Sequence, residues 1–266
     1  MTSDCEIYVI NQGYKHISEV SPGDKVYSLN NLFVEETEVL SVRSEWINEK
    51  IHVINSGQHN VDVVKGTKHL YFSENHGPKY LTTPEIYSHT RSKSADPNKY
   101  TPVLSWPYIQ DKMSCTLVEL EYVARMVTYR HYDVQSFMSI VNRCTGEDAL
   151  VLIDMLEFWH SDSPGKGQFK RVSVGARQLV IRDKLFLEEL ARMAVLAGFT
   201  ASTHKISDYR WALKVYFEPM PIPSSIPKDQ KFLEKLYAGV VYSIEVNNRQ
   251  PVFGKSKDRY VYLPVY

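Results

Sequence analysis

The hydrophobic period of this chain changes twice, and that order limits what it can fold into. From the start to about residue 82, short runs rich in β-branched and aromatic residues ("EIYVI", "KVYSL", "FVEETEVLSVRS", "KIHVI", "NVDVV", "KHLYFS", "KYLTT") are separated by Gly, Pro or Asn, which is the pattern of strands. The middle switches to a helical period. "CTLVELEYVARMVTYRH" carries a stripe at Leu117, Leu120, Val123, Ala124 and Val127, and "GEDALVLIDMLEFWHSD" carries one at Leu150, Ile153, Leu156 and Trp159. "DKLFLEELARMAVLAGF" reads as the strongest helix, with acids early and Gly198 as its stop. "QFKRVSVGA" and "RWALKVYFEP" flank it as strands. After the proline-rich seam "EPMPIPSSIP", "GVVYSIEVNN" and "RYVYLPVY" return to β. From Thr83 to Pro107 the chain is polar and reads as a surface connection.

This β, α+β, β order reads as one domain inserted into a loop of another. The expected fold class is mixed β and α+β: an all-β module from residues 1–110 and 221–266, holding an α+β domain at 111–220. The 266 residues supply enough material for a sizeable core.

Thirty-one basic residues balance thirty-one acids, so net charge selects no partner. Its distribution is more informative. Between Ser161 and Lys214, ten Lys/Arg face five acids, an excess that suits either a phosphate-facing surface or a solvated face. The chain has three cysteines, Cys5, Cys115 and Cys144. An odd, sparse count argues against a disulfide framework and for a reducing compartment. The opening "MTSDCEIYV" lacks a basic n-region and a long apolar run, and no apolar stretch is long enough to span a bilayer. The expected location is intracellular or phage-associated, with no membrane partner.

Taken alone, Cys5 reads as a strand residue and His69 as a loop histidine. In combination they resemble the autoprocessing Hint module of inteins. "CEIYVINQGYKHISEVSPGDKVYS" is similar to its opening block, with Cys5, Gly13, Ile17, Gly23, Asp24 and Val26 in the matching places. "KGTKHLYFSENHGPKYLTTPEI" is similar to the second block, in which a Thr three residues before a His activates the scissile peptide. His69 matches, whereas Gly66 holds the place of the Thr and Thr67 stands one residue later. "VVYSIEVNNRQPVFGKSKDRYVYLPVY" is similar to the closing block. The resemblance implies Cys5 as nucleophile, assisted by Thr67 and His69. Inteins end in Asn, and here Val265 stands in that region. With only Met1–Asp4 ahead of Cys5, full splicing is expected to be impaired.

The middle resembles a LAGLIDADG homing endonuclease, with "LVELEYVARMVTYRHY" and "LVLIDMLEFWHSDS" as its two signature helices. In that family each helix ends in an acid that holds a divalent metal at a scissile phosphate. Here the aligned positions are Tyr129 and His160, with Asp162 two residues further as the one acid in reach. The resemblance therefore implies duplex DNA as partner, read by strands carrying Lys170, Arg171, Arg177, Arg210 and Lys214, with cleavage lost. No cofactor is expected, and Mg²⁺ enters only where endonuclease chemistry survives. Two alternatives stand beside this reading. One is a non-catalytic relic retained as a DNA-binding or structural component, for example in a phage particle alongside other phage or host-gene proteins. The other is an unrelated α+β protein.

Overall fold

A computed structural model of the chain describes residues 1–30, 33–55, 60–73, 77–85, 101–102, 114–129, 134–141, 143–144, 146–161, 170–173, 176–181, 184–196, 198–216, 231–257 and 259–264. The fold is mostly antiparallel β-sheet with a group of helices, and so of mixed β and α+β class. It divides into two compact units, one from Met1–Leu104 with Pro221–Tyr266 and one from Ser105–Met220. The proline-rich stretch 219–227 and most of 83–107 lie outside the described residues.

In the first unit the chain opens with β1 (Cys5–Val9), β2 (Gly13–His16), β3 (Lys25–Asn30), β4 (Phe33–Asn55), β5 (Asn60–Val63), β6 (Lys68–Ser73), β7 (Gly77–Thr82) and β8 (Thr101–Pro102). The second unit holds α1 (Leu117–Tyr129), α2 (Val134–Val141), α3 (Gly146–Ser161), β9 (Lys170–Ser173), β10 (Ala176–Ile181), α4 (Lys184–Leu196), β11 (Thr200–Ser207) and β12 (Arg210–Tyr216). The chain then returns to the first unit with β13 (Lys231–Val246), β14 (Val252–Ser256) and β15 (Arg259–Leu263).

Strands of the first unit pair in the order β13-β4-β3-β1-β14-β15, with β2 added to β1 and β5 to β4. A separate three-stranded sheet runs β7-β6-β8. Turn chemistry sets the registers. Ser21-Pro22-Gly23-Asp24 closes a type II turn through Asp24 N–H to Ser21 O at 3.1 Å, with Gly23 at φ 91°, a value that glycine adopts without strain. The Asp24 carboxylate accepts from Ser21 N–H at 3.0 Å and pairs with Lys15 at 3.2 Å. Desolvation raises its pKa, but these two partners outweigh it and hold the carboxyl below its ordinary range.

The core of this unit gathers residues from both ends of the sequence. Cys5, Ile7 and Val9 on β1 and Val252 and Phe253 on β14 are fully buried. Tyr8 meets Tyr14 edge-on at 5.0 Å and Phe253 at 6.2 Å, and Tyr14 meets Tyr260 at 5.7 Å. Edge and tilted contacts of this kind suit the quadrupoles of the rings.

Two departures from the sequence reading stand out in the strands. The segments expected as separate strands around Val34 and Ile51 are one 23-residue strand, β4. Its partner β13 begins at Lys231, well before the expected "GVVYSIEV", and the two pair from Lys231↔Asn55 to Val246↔Val39. The joining stretch exposes Trp46, Leu233 and Leu236, so burial imposes no clean alternation there.

In the second unit, α1 begins with a capping box. Glu119 N–H donates to Thr116 Oγ1 at 3.2 Å, and Thr116 N–H returns to the Glu119 carboxylate at 2.8 Å. The backbone bond, then the Arg143 side chain, holds the Glu119 carboxyl down to about 2. Helix α4 ends at Gly198 (φ 89°), with Gly198 N–H to Val195 O and Phe199 N–H to Ala194 O, both 2.9 Å, which is a Schellman motif. Helices α1 and α3 pack together, α4 packs on α3, and α4 lies on β11 and β12. The sheet runs β11-β12-β10-β9. Helix α2 and strands β10 and β11 add to what the sequence patterns indicated. Leu117, expected in the α1 stripe, is 59% exposed, while Leu120, Val123 and Ala124 are buried.

A Cβ on Gly254 would sit 2.4 Å from the Glu6 carbonyl oxygen, across the β1–β14 pair. Gly254→Ala should therefore lower unfolding free energy by about 3 kcal/mol, while Gly13→Ala, at φ 80° with open space around it, should lose only about 1 kcal/mol from backbone strain. Denaturant titration of both variants checks this, and equal losses would contradict it.

Candidate functional site

Cys5 heads β1, where it pairs across to Ser256 of β14, and it is completely buried. Charged groups lie near it. Asp62 on β5 is 2% exposed and takes the ammonium groups of Lys235 and Lys257, and Lys257 also lies 3.8 Å from Asp4. The Asp4 carboxylate accepts from Thr2 Oγ1. The Met1 ammonium donates to Tyr242 O at 2.8 Å, and burial lowers its pKa. Burial first, then the Asp4 charge, pushes the Cys5 thiol up to about 12, while the Ser256 hydroxyl beside it acts in the opposite direction. At neutral pH the sulfur is a thiol, and the thiolate is the form that attacks carbonyls.

His16, which the sequence patterns do not single out, reaches the segment ahead of Cys5. Its Nδ1 accepts from Ser18 N–H at 3.3 Å, which leaves Nε2–H to donate to the Ser3 carbonyl. Its position follows from the register of the tight hairpin after Cys5, which sets Glu6 opposite His16. Thr67 lies just before β6, and His69 lies on it. Val64-Lys65-Gly66-Thr67 forms a turn, with Gly66 at φ 94° and Thr67 N–H on Val64 O at 3.1 Å. Thr67 is 2% and His69 5% exposed, and His69 pairs with Leu81 in the three-stranded sheet. Cys5 stands in the other sheet of this unit.

In the second unit, Tyr129 closes α1 and His160 is the penultimate residue of α3, so both stand at the C-terminal ends of two packed helices. Neither supplies a carboxylate, and a phenol with an imidazole does not fit Mg²⁺, a hard cation that prefers anionic oxygen. Asp162 and Val265 lie outside the described residues. The five candidate DNA contacts divide by register. Lys170 and Lys214 both oppose Gln178, and alternation puts Arg210 in the same row. Arg171 and Arg177 oppose each other in the other row, where Arg177 also opposes buried Val215. Arg210 is exposed and Lys214 half-buried. Part of the basic excess is internal. Arg192 is fully buried, donating to Glu189 at 2.8 Å and to Val141 O at 2.6 Å. Lys205 pairs with Asp208 at 2.7 Å.

No protein-family model matches this chain. No curated protein matches it either. Among solved structures it is similar in part to a crystal structure of the gp41-1 intein, at 23% identity and a TM-score of 0.20, over 29% of this chain and 55% of that one. No helix among the described residues is long and apolar enough to cross a membrane.

The thiol environment has a pH signature. The folded pKa of Cys5 lies above its ordinary 9, so the unfolded chain ionises first. The stability this group contributes is complete below about pH 9 and is lost as pH rises toward 12, at about 1.4 kcal/mol per unit. Cys5→Ala should flatten the alkaline decline in stability over that window relative to wild type, as measured by denaturant titration at successive pH values. An unchanged slope would mean that the thiol titrates normally in the fold.

Proposed function

We propose that this chain is intein-like, with a Hint-type module built from both ends of the sequence around Cys5 and a central LAGLIDADG-like unit that binds duplex DNA. The observation that carries the reading is the antiparallel pairing of Cys5 with Ser256, which supports a module that closes across an intervening unit. In such a module the Cys5 sulfur attacks the Asp4 carbonyl carbon, the Asp4–Cys5 C–N bond breaks, and the thiol proton passes to the released amine. A thioester joins Asp4 to Cys5. Here the attacking group is a buried thiol next to the Asp4 charge, so the rearrangement is slow at neutral pH. That same thiol, together with Tyr129 and His160 at the helix ends, favours a second reading: a relic retained for DNA binding or as a structural part.

Mass spectrometry in the presence of a small thiol tests the first reading. Wild type stays intact at pH 7 and slowly loses Met1–Asp4 at pH 9. Asp4→Asn loses them faster, and Cys5→Ala loses nothing. Absence of thiol-dependent cleavage in Asp4→Asn at pH 9 would reduce Cys5 to a packed strand residue and sink the Hint-type reading.

Electrophoretic mobility shift tests the DNA reading. The row of Lys170, Arg210 and Lys214 supports a duplex contact, and log affinity should fall by about 0.9 per phosphate neutralised for each log unit of salt. Arg210→Ala should reduce that slope by roughly one such step. In Mg²⁺ the DNA should remain uncut. Metal-dependent double-strand cleavage would overturn the assignment of Tyr129 and His160, and absence of binding at low salt would remove DNA as the partner.

A further inference from the structure

In the second unit, two cysteines that are remote in sequence converge where three helices meet. Cys115 lies two residues ahead of α1, and Cys144 lies in the connection between α2 and α3. Their sulfurs are 3.6 Å apart, and both lie within hydrogen-bonding distance of the Ile140 carbonyl oxygen, at 3.6 and 3.5 Å. We propose that Cys115 and Cys144 are a modification site at which a reversible intrachain disulfide forms by exchange with a small disulfide such as oxidised glutathione.

Three features support it. The first is distance: the sulfurs already stand 3.6 Å apart, against about 2.05 Å in a disulfide, and both residues sit in connections rather than inside helices. The second is electrostatic. The Arg143 guanidinium acts on both sulfurs and that of Arg192 on Cys144, each favouring thiolate against burial and the Asp148 carboxylate, which oppose it. The Cys144 S–H, then Arg143, lowers the Cys115 pKa, while the same hydrogen bond and burial raise that of Cys144. Cys115, with exposed Ser114 and Thr116 on either side of it, is assigned as the attacking thiol and Cys144 as the resolving one. The third is access. Cys115 is 4% and Cys144 3% exposed, yet the flanking Ser114, Thr116 and Arg143 are exposed, so fraying the first turn of α1 uncovers the sulfur.

The exchange balances in two steps. The Cys115 thiolate attacks one sulfur of the glutathione disulfide and expels one glutathione thiolate. Cys144 then loses its proton, attacks the Cys115 sulfur and expels the second. The protein loses two hydrogens, and one disulfide is reduced to two thiols. The product ties the start of α1 to the α2–α3 connection across 29 positions of sequence.

A metal is the rival occupant, because the ligand atoms of Cys115, Cys144 and Asp148 lie within 4.8 Å of one another. Two observations disfavour it. Both Asp148 oxygens already accept backbone hydrogens, from Cys115 at 3.1 Å and Ser114 at 3.2 Å. The two guanidinium groups repel a dication.

The test uses the full chain, equilibrated with excess oxidised glutathione, then denatured, alkylated and weighed. The expected product is lighter by two hydrogens, accepts one alkyl group instead of three, and yields a peptide joining Cys115 to Cys144 that reductant separates. Oxidation in denaturant should scramble the pairing among all three cysteines, which separates native geometry from chance. Cys144→Ser should stop at a glutathione adduct on Cys115, and Cys5→Ser should leave the bridge intact. Three alkylatable thiols at equilibrium would overturn the proposal, as would adducts without a cross-link. Stoichiometric zinc held by the reduced protein and blocking oxidation would also overturn it, assigning the cluster to metal instead.

Discussion

The antiparallel contact between Cys5–Ile7 and Gly254–Ser256 is the constraint on which the first unit rests. It joins segments from opposite ends of the sequence, and β1 additionally pairs with β2 and β3, so the first strand lies inside the sheet rather than at its edge. Close approach at Gly254 lets the backbones meet, and the rings of Tyr8, Tyr14, Phe253 and Tyr260 fill the layer around them. Lys255 is 3% exposed and bridges the two strands, pairing with Glu6 at 2.7 Å and lying 5.1 Å over the Tyr14 ring. Most interactions that fix the candidate nucleophile are thus packing interactions. The same burial that orders Cys5 raises its pKa, so order and reactivity oppose each other at this residue.

Elements with one strong period were legible in the sequence. Helices α3 and α4 follow from apolar spacing, and the Gly198 stop from the demand for positive φ. Strands β1 and β3 follow from their β-branched and aromatic runs and from the Pro-Gly-Asp turn. What escaped were elements stabilised by partners rather than by pattern. The centre of β4 and the start of β13 are exposed and are held chiefly by each other's backbone hydrogen bonds. Helix α2 is eight residues, too short to declare itself by period. At the site, Cys5 was legible as a position and His16 was not, because its role depends on a hairpin register.

Charge was the least legible quantity. A basic count along the sequence treats Arg192 and Arg210 alike, yet one is wholly inside and the other faces water. Arg192 lies in a helix buried from Phe186 to Leu196 and survives there because Glu189 and the Val141 carbonyl accept its hydrogens. Asp62 follows the same rule in the first unit, buried under two ammonium groups. Sequence records the sign of a charge, and only the fold assigns its dielectric surroundings.

The pairing of Cys5 with Ser256 also has a consequence during synthesis. At ribosomal rates of about 5–20 residues per second, tens of seconds pass between the emergence of the two partners. The second unit, encoded entirely between them, is complete before Ser256 leaves the ribosome. Throughout that interval β1 lacks the strand that later covers it, and the Cys5 sulfur lacks the neighbour that completes its burial. The nascent chain therefore passes through a period in which its thiol has a more ordinary acidity than it has once the last strands arrive.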